Sequence, residues 1–169
     1  LLMAILAASC CGININKAFK VINNIKSVPG RLECVSNLKN GTKIILDFAH
    51  TPEALKQSLI ALKNQFRKNI ILVFGCGGDR DKTKRYTMGL IAKKYCRKIF
   101  VTDDNPRNEN PQKIRQAIIA SCKKSAVDIG SRKKAIEAAI TELREGEILL
   151  VAGKGHEKIQ DYGKKLLKS

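Results

Sequence analysis

The stretch NIILVFGCGGDR, residues 69–80, decides the fold class. Its apolar part runs without a polar interruption from Ile70 to Phe74, which is typical of a strand that is buried on both faces of a sheet. The glycines that follow end this strand, and residues 83–95 then have the length and composition of a helix. A buried strand, a glycine-rich loop and a helix in this order predict one unit of a parallel sheet with crossover helices.

The same alternation continues on both sides of this unit. Strands are predicted at residues 43–48, 69–74, 98–102, 126–129 and 147–152, and helices at residues 52–66, 83–95, 111–124 and 132–143. Thr51 is suited to cap a helix that has Pro52 at its first position, and Ser131 is a candidate cap for the helix from Arg132. The predicted fold is therefore α/β, a doubly wound and mostly parallel Rossmann-like sheet with helices on both faces, from about Arg31 to the end.

The beginning of the chain predicts a separate helical segment. Residues 1–11 have the pattern of a helix that Gly12 ends, and a second short helix is predicted at residues 15–23. Small residues before Cys10 imitate the end of a lipoprotein signal peptide, but neither an initiator Met nor a basic segment precedes them. A helix that enters from an upstream domain explains the same residues, so we expect a piece of a longer protein. The turn-rich stretch Ser27-Val28-Pro29-Gly30-Arg31 predicts the boundary, between residues 1–28 and 29–169.

Composition limits the classes of function. The 169 residues include 32 Lys and Arg against 15 Asp and Glu, a formal net charge of +17, and 44% are hydrophobic, which excludes wholesale disorder. No apolar run approaches the roughly 20 residues that span a bilayer. The positive charge leaves open a basic Rossmann-like module that binds nucleic acid or another polyanion. Against this, the lysines are scattered, aromatic residues are 5% and Trp is absent, so we do not expect nucleic acid as the partner.

The cysteines predict neither a disulfide framework nor a metal site. None of the six forms a C-x-x-C pair, and two of them are adjacent in the chain. They are Cys10, Cys11, Cys34, Cys76, Cys96 and Cys122. Free, reduced thiols of a cytoplasmic protein are the expected state.

Polar residues collect where four predicted strands end. They are Asp47-Phe48-Ala49-His50-Thr51-Pro52, Gly75-Cys76-Gly77-Gly78-Asp79-Arg80, Asp103-Asp104-Asn105-Pro106-Arg107 and Gly153-Lys154-Gly155-His156-Glu157. Ligands of parallel α/β sheets bind beyond the carboxyl ends of the strands, so these loops predict one binding crevice.

Each loop also has a purely structural interpretation. The glycines from Gly75 are equally suited to a tight turn, and they match neither complete nucleotide-binding motif. The loop from Asp103 to Arg107 is equally suited to an Asx turn, and the Gly-Lys-Gly after the last strand is only half of a phosphate loop. His50 alone is more typical of a loop histidine with satisfied hydrogen bonds. Under the functional interpretation, Arg107 binds a carboxylate in two hydrogen bonds, whereas Asp104 or Glu157 binds an ammonium group.

Five motifs in order carry a family resemblance. They are Val28-Pro29-Gly30-Arg31, Asp47-Phe48-Ala49-His50-Thr51-Pro52, the loop of residues 75–85, Asp104-Asn105-Pro106-Arg107 and Gly153-Lys154-Gly155-His156-Glu157. Together they resemble the C-terminal domain of the Mur ligases of peptidoglycan synthesis. The resemblance implies a three-domain, ATP-dependent enzyme that forms an amide, here by adding meso-diaminopimelate to UDP-MurNAc-L-Ala-D-Glu. It also implies a monomer whose ATP and Mg²⁺ are bound mainly by a central domain that residues 1–28 would end. The P-loop and the lysine that the family carbamylates are absent from this sequence, so we expect no ligase activity and no certain catalytic residue in it.

The resemblance further implies the roles of individual residues. Diaminopimelate would be bound by Arg80, Asp104, Asn105, Pro106, Arg107, Gly153 and Glu157. ATP would be contacted by Arg31, Asp47 and His50 when the domains close. The Arg of Asp-Asn-Pro-Arg marks the diaminopimelate users, while a Mur ligase that adds another amino acid stays an alternative. Two features depart from the family: Phe48 replaces a frequent Tyr, and beyond Glu157 the resemblance fades, which predicts a shortened last element.

Overall fold

The computed structural model describes residues 2–25, 28–38 and 40–168. The helices are α1 (Leu2–Cys10), α2 (Ile15–Val21), α3 (Pro52–Phe66), α4 (Thr83–Tyr95), α5 (Pro111–Cys122) and α6 (Arg132–Thr141). The strands are β1 (Glu33–Asn37), β2 (Lys43–Asp47), β3 (Ile70–Phe74), β4 (Lys98–Val101), β5 (Ala126–Asp128), β6 (Ile148–Ala152), β7 (Ile159–Asp161) and β8 (Leu166–Lys168). Short 3-10 turns occupy Ile22–Asn24 and Lys123–Ser125.

Six strands form one sheet in the order β1-β2-β6-β3-β4-β5. All neighbours from β2 to β5 are parallel, and only the edge pair of β1 and β2 is antiparallel. The predicted doubly wound, mostly parallel α/β fold is thereby confirmed. Because the strands are parallel, the ends of β2, β3, β4 and β6 lie at one edge of the sheet, and the four polar loops start there.

The sheet is covered on both faces because alternate residues of its central strands point to opposite sides. In β3, Ile70, Leu72 and Phe74 belong to the core under α3, α4 and α5. Ile71 and Val73 belong to the smaller core under α6. Every residue of β3 and of β6 is buried, which explains why their sequences lack the alternation of a half-exposed strand.

The predicted helix starts are confirmed by their caps. The Thr51 hydroxyl accepts a hydrogen bond from Ala54 N at 3.3 Å, and the Ser131 hydroxyl accepts one from Lys134 N at 3.4 Å. The ends of α5 and α6 come two residues before the predicted ends. In α5 the cause is Lys123, whose φ of 46° lies outside the helical region.

Two parts of the architecture were not predicted. Strand β1 has no apolar run, and all five of its residues are exposed or half-buried at the edge of the sheet. Strands β7 and β8 form an antiparallel hairpin after Glu157, where the sequence predicted only a shortened element.

The N-terminal helices occur as predicted, from Leu2 to Cys10 and from Ile15 onward. Several of their apolar side chains are exposed, among them Leu2, Met3 and Phe19. Leu1, Ser169 and the first residue of the predicted boundary, Ser27, lie outside the described residues. The division at residues 28 and 29 stays a prediction. Across the described ranges, no helix is both long and apolar enough to cross a membrane.

Candidate ligand-binding site

A cavity of about 430 Å³ opens at the carboxyl ends of the central strands, within the size range of small-molecule sites. Four loops line it, and each follows one of β2, β3, β4 or β6. The lining residues are Phe48, His50, Thr51, Pro52, Gly75, Cys76, Gly77, Arg80, Asp81, Lys84, Asp104, Asn105, Arg107, Gly153 and Glu157.

Most of the predicted site residues meet in this cavity. Those that line it are Arg80, Asp104, Asn105, Arg107, Gly153, Glu157 and His50. Pro106 is buried and does not line the cavity, and its carbonyl oxygen lies close to Gly78. Arg31 and Asp47 also lie outside the lining.

The acidic groups are Asp104 and Glu157. Asp104 is buried at the end of β4, and its Oδ2 lies 2.7 Å from the place where a Cβ of Gly153 would be. Gly153 also has a φ of +109°, so this close approach requires glycine. Behind them lies the buried Arg132, which donates to Ala152 O at 3.0 Å and whose charge interacts favourably with both acids. Burial lowers the pKa of Arg132, and the charges of Asp104 and Glu157 oppose that effect.

Two arginines supply the opposite charge. Arg107 is held firmly, because its Nη1 donates to Gly78 O at 2.7 Å and its Nε lies 3.7 Å from the Asp161 carboxylate. Arg80 is exposed and is bonded only through Nη1 to its neighbour's carbonyl, Asp79 O, among the described contacts. The cavity therefore has one fixed and one adaptable guanidinium.

Asn105 is oriented by the hydrogen bonds of its amide oxygen. Oδ1 accepts from Lys154 Nζ and from Asp161 N, both at 2.9 Å. With the oxygen occupied, the amide NH₂ remains as a donor toward the cavity. Lys154 is only 2% exposed, and its ammonium also binds Glu157 at 3.1 Å. This role of Lys154 was not predicted, because Gly-Lys-Gly in the sequence suggested only a partial phosphate loop.

The loops that carry the arginines are joined by a partly buried ion pair. Both oxygens of Glu109 accept hydrogen bonds from Arg85, at 2.9 and 3.0 Å, and Oε1 also accepts from Asp79 N at 2.7 Å. These bonds, with that of Arg85 foremost, lower the pKa of Glu109 to about 2. Gly78 adds a close backbone contact, because a Cβ there would lie 2.0 Å from Pro106 O.

An aromatic cluster forms the other rim of the cavity. The guanidinium of Arg31 lies 4.4 Å above the ring of Phe48, which stacks with His156 at 6.3 Å and meets His50 edge-on at 4.8 Å. His50 Nδ1 is 2.9 Å from Phe48 O. A carbonyl can only accept, so Nδ1 carries the proton and Nε2 is left as the acceptor of the neutral ring.

Asp47 serves the loops rather than the cavity. One of its oxygens accepts from Leu32 N at 2.8 Å, and the other accepts from Ala49 N at 3.0 Å and from the Ser58 hydroxyl at 2.9 Å. Its carboxylate thus holds in place the backbone of Leu32 and Ala49, the residues next to Arg31 and His50.

Neither a reactive thiol nor a metal cluster is found here. Burial raises the pKa of Cys76 to about 12, so this thiol stays protonated at neutral pH. In the part of the chain that the structure describes, no group of three His, Cys, Asp or Glu side chains could hold a metal ion.

The chain is thus an α/β domain with a cavity that presents groups of both charges. The family model described as "Mur ligase, glutamate ligase domain" matches residues 30–155, so the chain belongs to the Mur ligase family. Curated relatives include a UDP-N-acetylmuramoyl-L-alanyl-D-glutamate–2,6-diaminopimelate ligase of Rickettsia felis, 43% identical over 99% of this chain, and one of Rhizobium meliloti, 44% identical over 92%. The chain spans about a third of these relatives, 31% and 32% of their lengths.

Solved structures give the same result. A UDP-N-acetylmuramoyl-L-alanyl-D-glutamate–2,6-diaminopimelate ligase superposes over 99% of this chain and 35% of its own, with 31% identity and a TM-score of 0.75. A UDP-N-acetylmuramate–alanine ligase of Thermotoga maritima superposes over 88% of this chain and 32% of its own, with a TM-score of 0.69. At 17% identity, the second likeness shows the fold alone.

Proposed function

We propose that this chain is the amino-acid-binding, C-terminal domain of an ATP-dependent ligase that adds meso-diaminopimelate to UDP-MurNAc-L-Ala-D-Glu. Residues 29–169 would form the domain, and residues 1–28 would end the preceding ATP-binding domain. The observation that carries the proposal is that one cavity is lined by two arginines and two acidic residues. They are Arg80, Arg107, Asp104 and Glu157. The proposal is also supported by relatives that are similar to this chain in sequence and bear the name of that ligase.

The proposed ligand has two amino-acid ends, and the cavity is suited to hold one of them. The distal carboxylate would bind the guanidinium groups of Arg80 and Arg107 and the amide of Asn105. The ammonium beside it would bind Asp104 and Glu157. These two carboxylates would repel a polyanion, so the cavity is better suited to a zwitterion than to a polyanion.

Holding one end leaves the other amine free for the reaction. In the proposed ligase, ATP phosphorylates the γ-carboxyl of the D-glutamate, and the amine attacks the resulting acyl phosphate. The tetrahedral intermediate then expels phosphate and forms the amide. This domain's contribution is to orient the amine, which lowers the entropic part of the barrier.

The same cavity would discriminate against L-lysine, which lacks the distal carboxylate. Each charge-assisted hydrogen bond that is lost is worth roughly 1.5–3 kcal/mol. We therefore expect lysine to bind at least about tenfold more weakly than meso-diaminopimelate.

Nucleotide and metal would be held mainly outside this chain. Arg31 and His50, on the aromatic rim, are the proposed ATP contacts when the domains close, and Asp47 would act through the backbone that carries them. The described residues offer no cluster for Mg²⁺, so the proposal assigns that ion to the ATP-binding domain. We also propose that the whole enzyme is a monomer and is located in the cytoplasm.

The test is an amide NMR titration of this chain with meso-diaminopimelate, with L-lysine as the competing amino acid. We expect saturable shifts in the loops after β3, β4 and β6, loss of binding in Arg107→Ala, and weakened binding in Arg107→Lys, which keeps the charge but not the two-pronged geometry. Arg144→Ala removes an exposed arginine and is the matched control.

The alternatives have their own outcomes. Equal affinity for lysine would favour a ligase that adds another amino acid. Shifts with an oligonucleotide but none with meso-diaminopimelate would favour the polyanion-binding module. If meso-diaminopimelate also failed to bind when the chain is joined to an ATP-binding domain, the proposal would be wrong.

A further inference from the structure

The hairpin after Glu157 contacts the loop that supplies Asp104, Asn105 and Arg107 to the cavity. Strand β7 and the next residue, Tyr162, run beside residues 103–107. This hairpin lies beyond residue 155, where the match to the family model ends. Its residues were not among the predicted site residues, and Gln160, Asp161 and Tyr162 do not line the cavity.

Gln160 makes the most buried of these contacts. The residue is 5% exposed, and Nε2 donates to Asp103 O at 3.0 Å and to Asp104 O at 2.9 Å. One amide group thus satisfies two successive backbone carbonyls. Those carbonyls belong to the peptide units on either side of the Asp104 Cα, so they set the direction of the Asp104 side chain.

The next two residues continue the contact. Asp161 N donates to Asn105 Oδ1 at 2.9 Å, and Asp161 O accepts from Arg107 N at 3.0 Å. The Tyr162 hydroxyl donates to Asp103 Oδ2 at 3.0 Å. Arg107 needs this support, because its φ of 51° is a conformation that residues other than glycine rarely adopt.

We propose that Gln160 is a positioning residue of the amino-acid site, acting on ligand binding through the backbone of Asp103 and Asp104. It holds the loop in the one conformation that turns Asp104, Asn105 and Arg107 toward the cavity together. The inference rests on the proposed function for the identity of the ligand. Its effect on the loop can be measured without any ligand.

The first experiment therefore uses the free chain. Gln160→Leu keeps the approximate size of the side chain but leaves two buried carbonyls without a donor. The amide protons of Arg107 and Asp161 should exchange with solvent about tenfold faster than in the parent chain, because the loop opens more often. Gln116→Leu, at an exposed position of α5, is the matched control and should leave exchange unchanged.

The second experiment measures affinity for meso-diaminopimelate by calorimetry at a temperature where each variant is fully folded. We expect the Kd of Gln160→Leu to rise about tenfold, with no change in Gln116→Leu. Gln160→Asn is the second variant, because it keeps an amide yet is too short to reach both carbonyls, and it should raise the Kd in the same direction. A purely structural role would lower the midpoint of unfolding but leave the Kd of the folded chain unchanged.

The outcomes separate the inference from the proposed function. If the parent chain failed to bind meso-diaminopimelate, the proposed function would be at fault, and the exchange rates of Arg107 and Asp161 would still decide the role of Gln160. Exchange rates at parental values in both Gln160 variants would overturn the inference. So would a Kd within about twofold of the parent in a folded Gln160 variant.

Discussion

Replacing Glu109 with Gln tests whether the ion pair between the two arginine-bearing loops stabilises the domain. The side chain of Arg85 is 5% exposed, and that of Glu109 is 18% exposed. Gln keeps the shape of Glu and one acceptor oxygen, but it removes the charge that Arg85 faces. Removing one partner of a fully buried pair costs roughly 3–5 kcal/mol, because the other charge stays buried without compensation.

The pKa of Glu109 gives an independent magnitude. The hydrogen bonds of Arg85, followed by that of Asp79 N and by the charges of Arg85 and Lys82, lower this pKa from 4.5 to about 2. A pKa shift of this size corresponds to roughly 3 kcal/mol of stability at a pH where Glu109 is ionised in both the folded and the unfolded chain. Solvent screens the partly exposed carboxylate and Gln retains one hydrogen bond, so we expect Glu109→Gln to lower the free energy of unfolding by about 2 kcal/mol at pH 7.

The pH dependence follows from the sign of the shift. A carboxyl whose pKa is lowered by folding stabilises the folded state above its unfolded pKa, near 4.5, and loses that contribution as the pH falls toward 2. The difference between Glu109→Gln and the parent should therefore be constant from pH 7 down to about 5 and shrink below it. Urea unfolding followed by far-ultraviolet circular dichroism measures it, and it needs no tryptophan, which the chain lacks.

The matched control is Glu137→Gln, since Glu137 is exposed and only 4.0 Å from the exposed Lys133. Its effect should stay below about 0.5 kcal/mol. A Glu109→Gln effect as small as that of the control, or one that does not change between pH 7 and pH 3, would refute the reasoning.

Two further predictions concern the close approach of the loops and the state of the thiols. Gly78→Ala places a Cβ 2.0 Å from Pro106 O, a backbone atom that cannot turn aside. The loops must separate, so we expect urea unfolding to show a loss of about 2 kcal/mol, and a loss under about 0.5 kcal/mol would mean that they separate freely. Iodoacetamide at neutral pH should modify the three exposed cysteines quickly and the three buried ones only after unfolding, as mass spectrometry of the digested chain would show. The exposed ones are Cys10, Cys11 and Cys34, and the buried ones are Cys76, Cys96 and Cys122. Rapid modification of Cys76 in the folded chain would contradict its burial and its raised pKa, about 12.

The elements that could be predicted from the sequence are those that contribute side chains to the core. The strand of residues 70–74 and the helix from Pro52 have strong local signals, a continuous apolar run in one and a cap followed by proline in the other. Strand β1 and the hairpin of β7 and β8 have neither signal. Their residues are mostly polar or exposed, and pairing with a distant partner holds them in place. Patterns of local periodicity cannot report such pairings.

The candidate site shows the same division. The rule that ligands bind at the ends of parallel strands was enough to bring Arg80, Asp104 and Arg107 into one crevice. It could not distinguish a side chain that faces the cavity from one that accepts hydrogen bonds from backbone groups, as Asp47 does. Nor could it foresee Lys154, because buried lysines are rare and this one depends on Asn105 and Glu157 from separate parts of the loops.

The position of β6 in the sheet has a consequence for biosynthesis. This strand is the last of the six in the chain, yet it lies between β2 and β3, which are not paired with each other. While the ribosome is still making residues 1–147, the nascent chain can form only two separate pieces of sheet, each with an unpaired edge. Unpaired edges promote aggregation, so we expect the chain to be most prone to aggregate during this interval. The insertion of β6 completes the sheet and brings the loop of His50 to the loops of Arg80 and Asp104, so the cavity and the completed fold form in the same event.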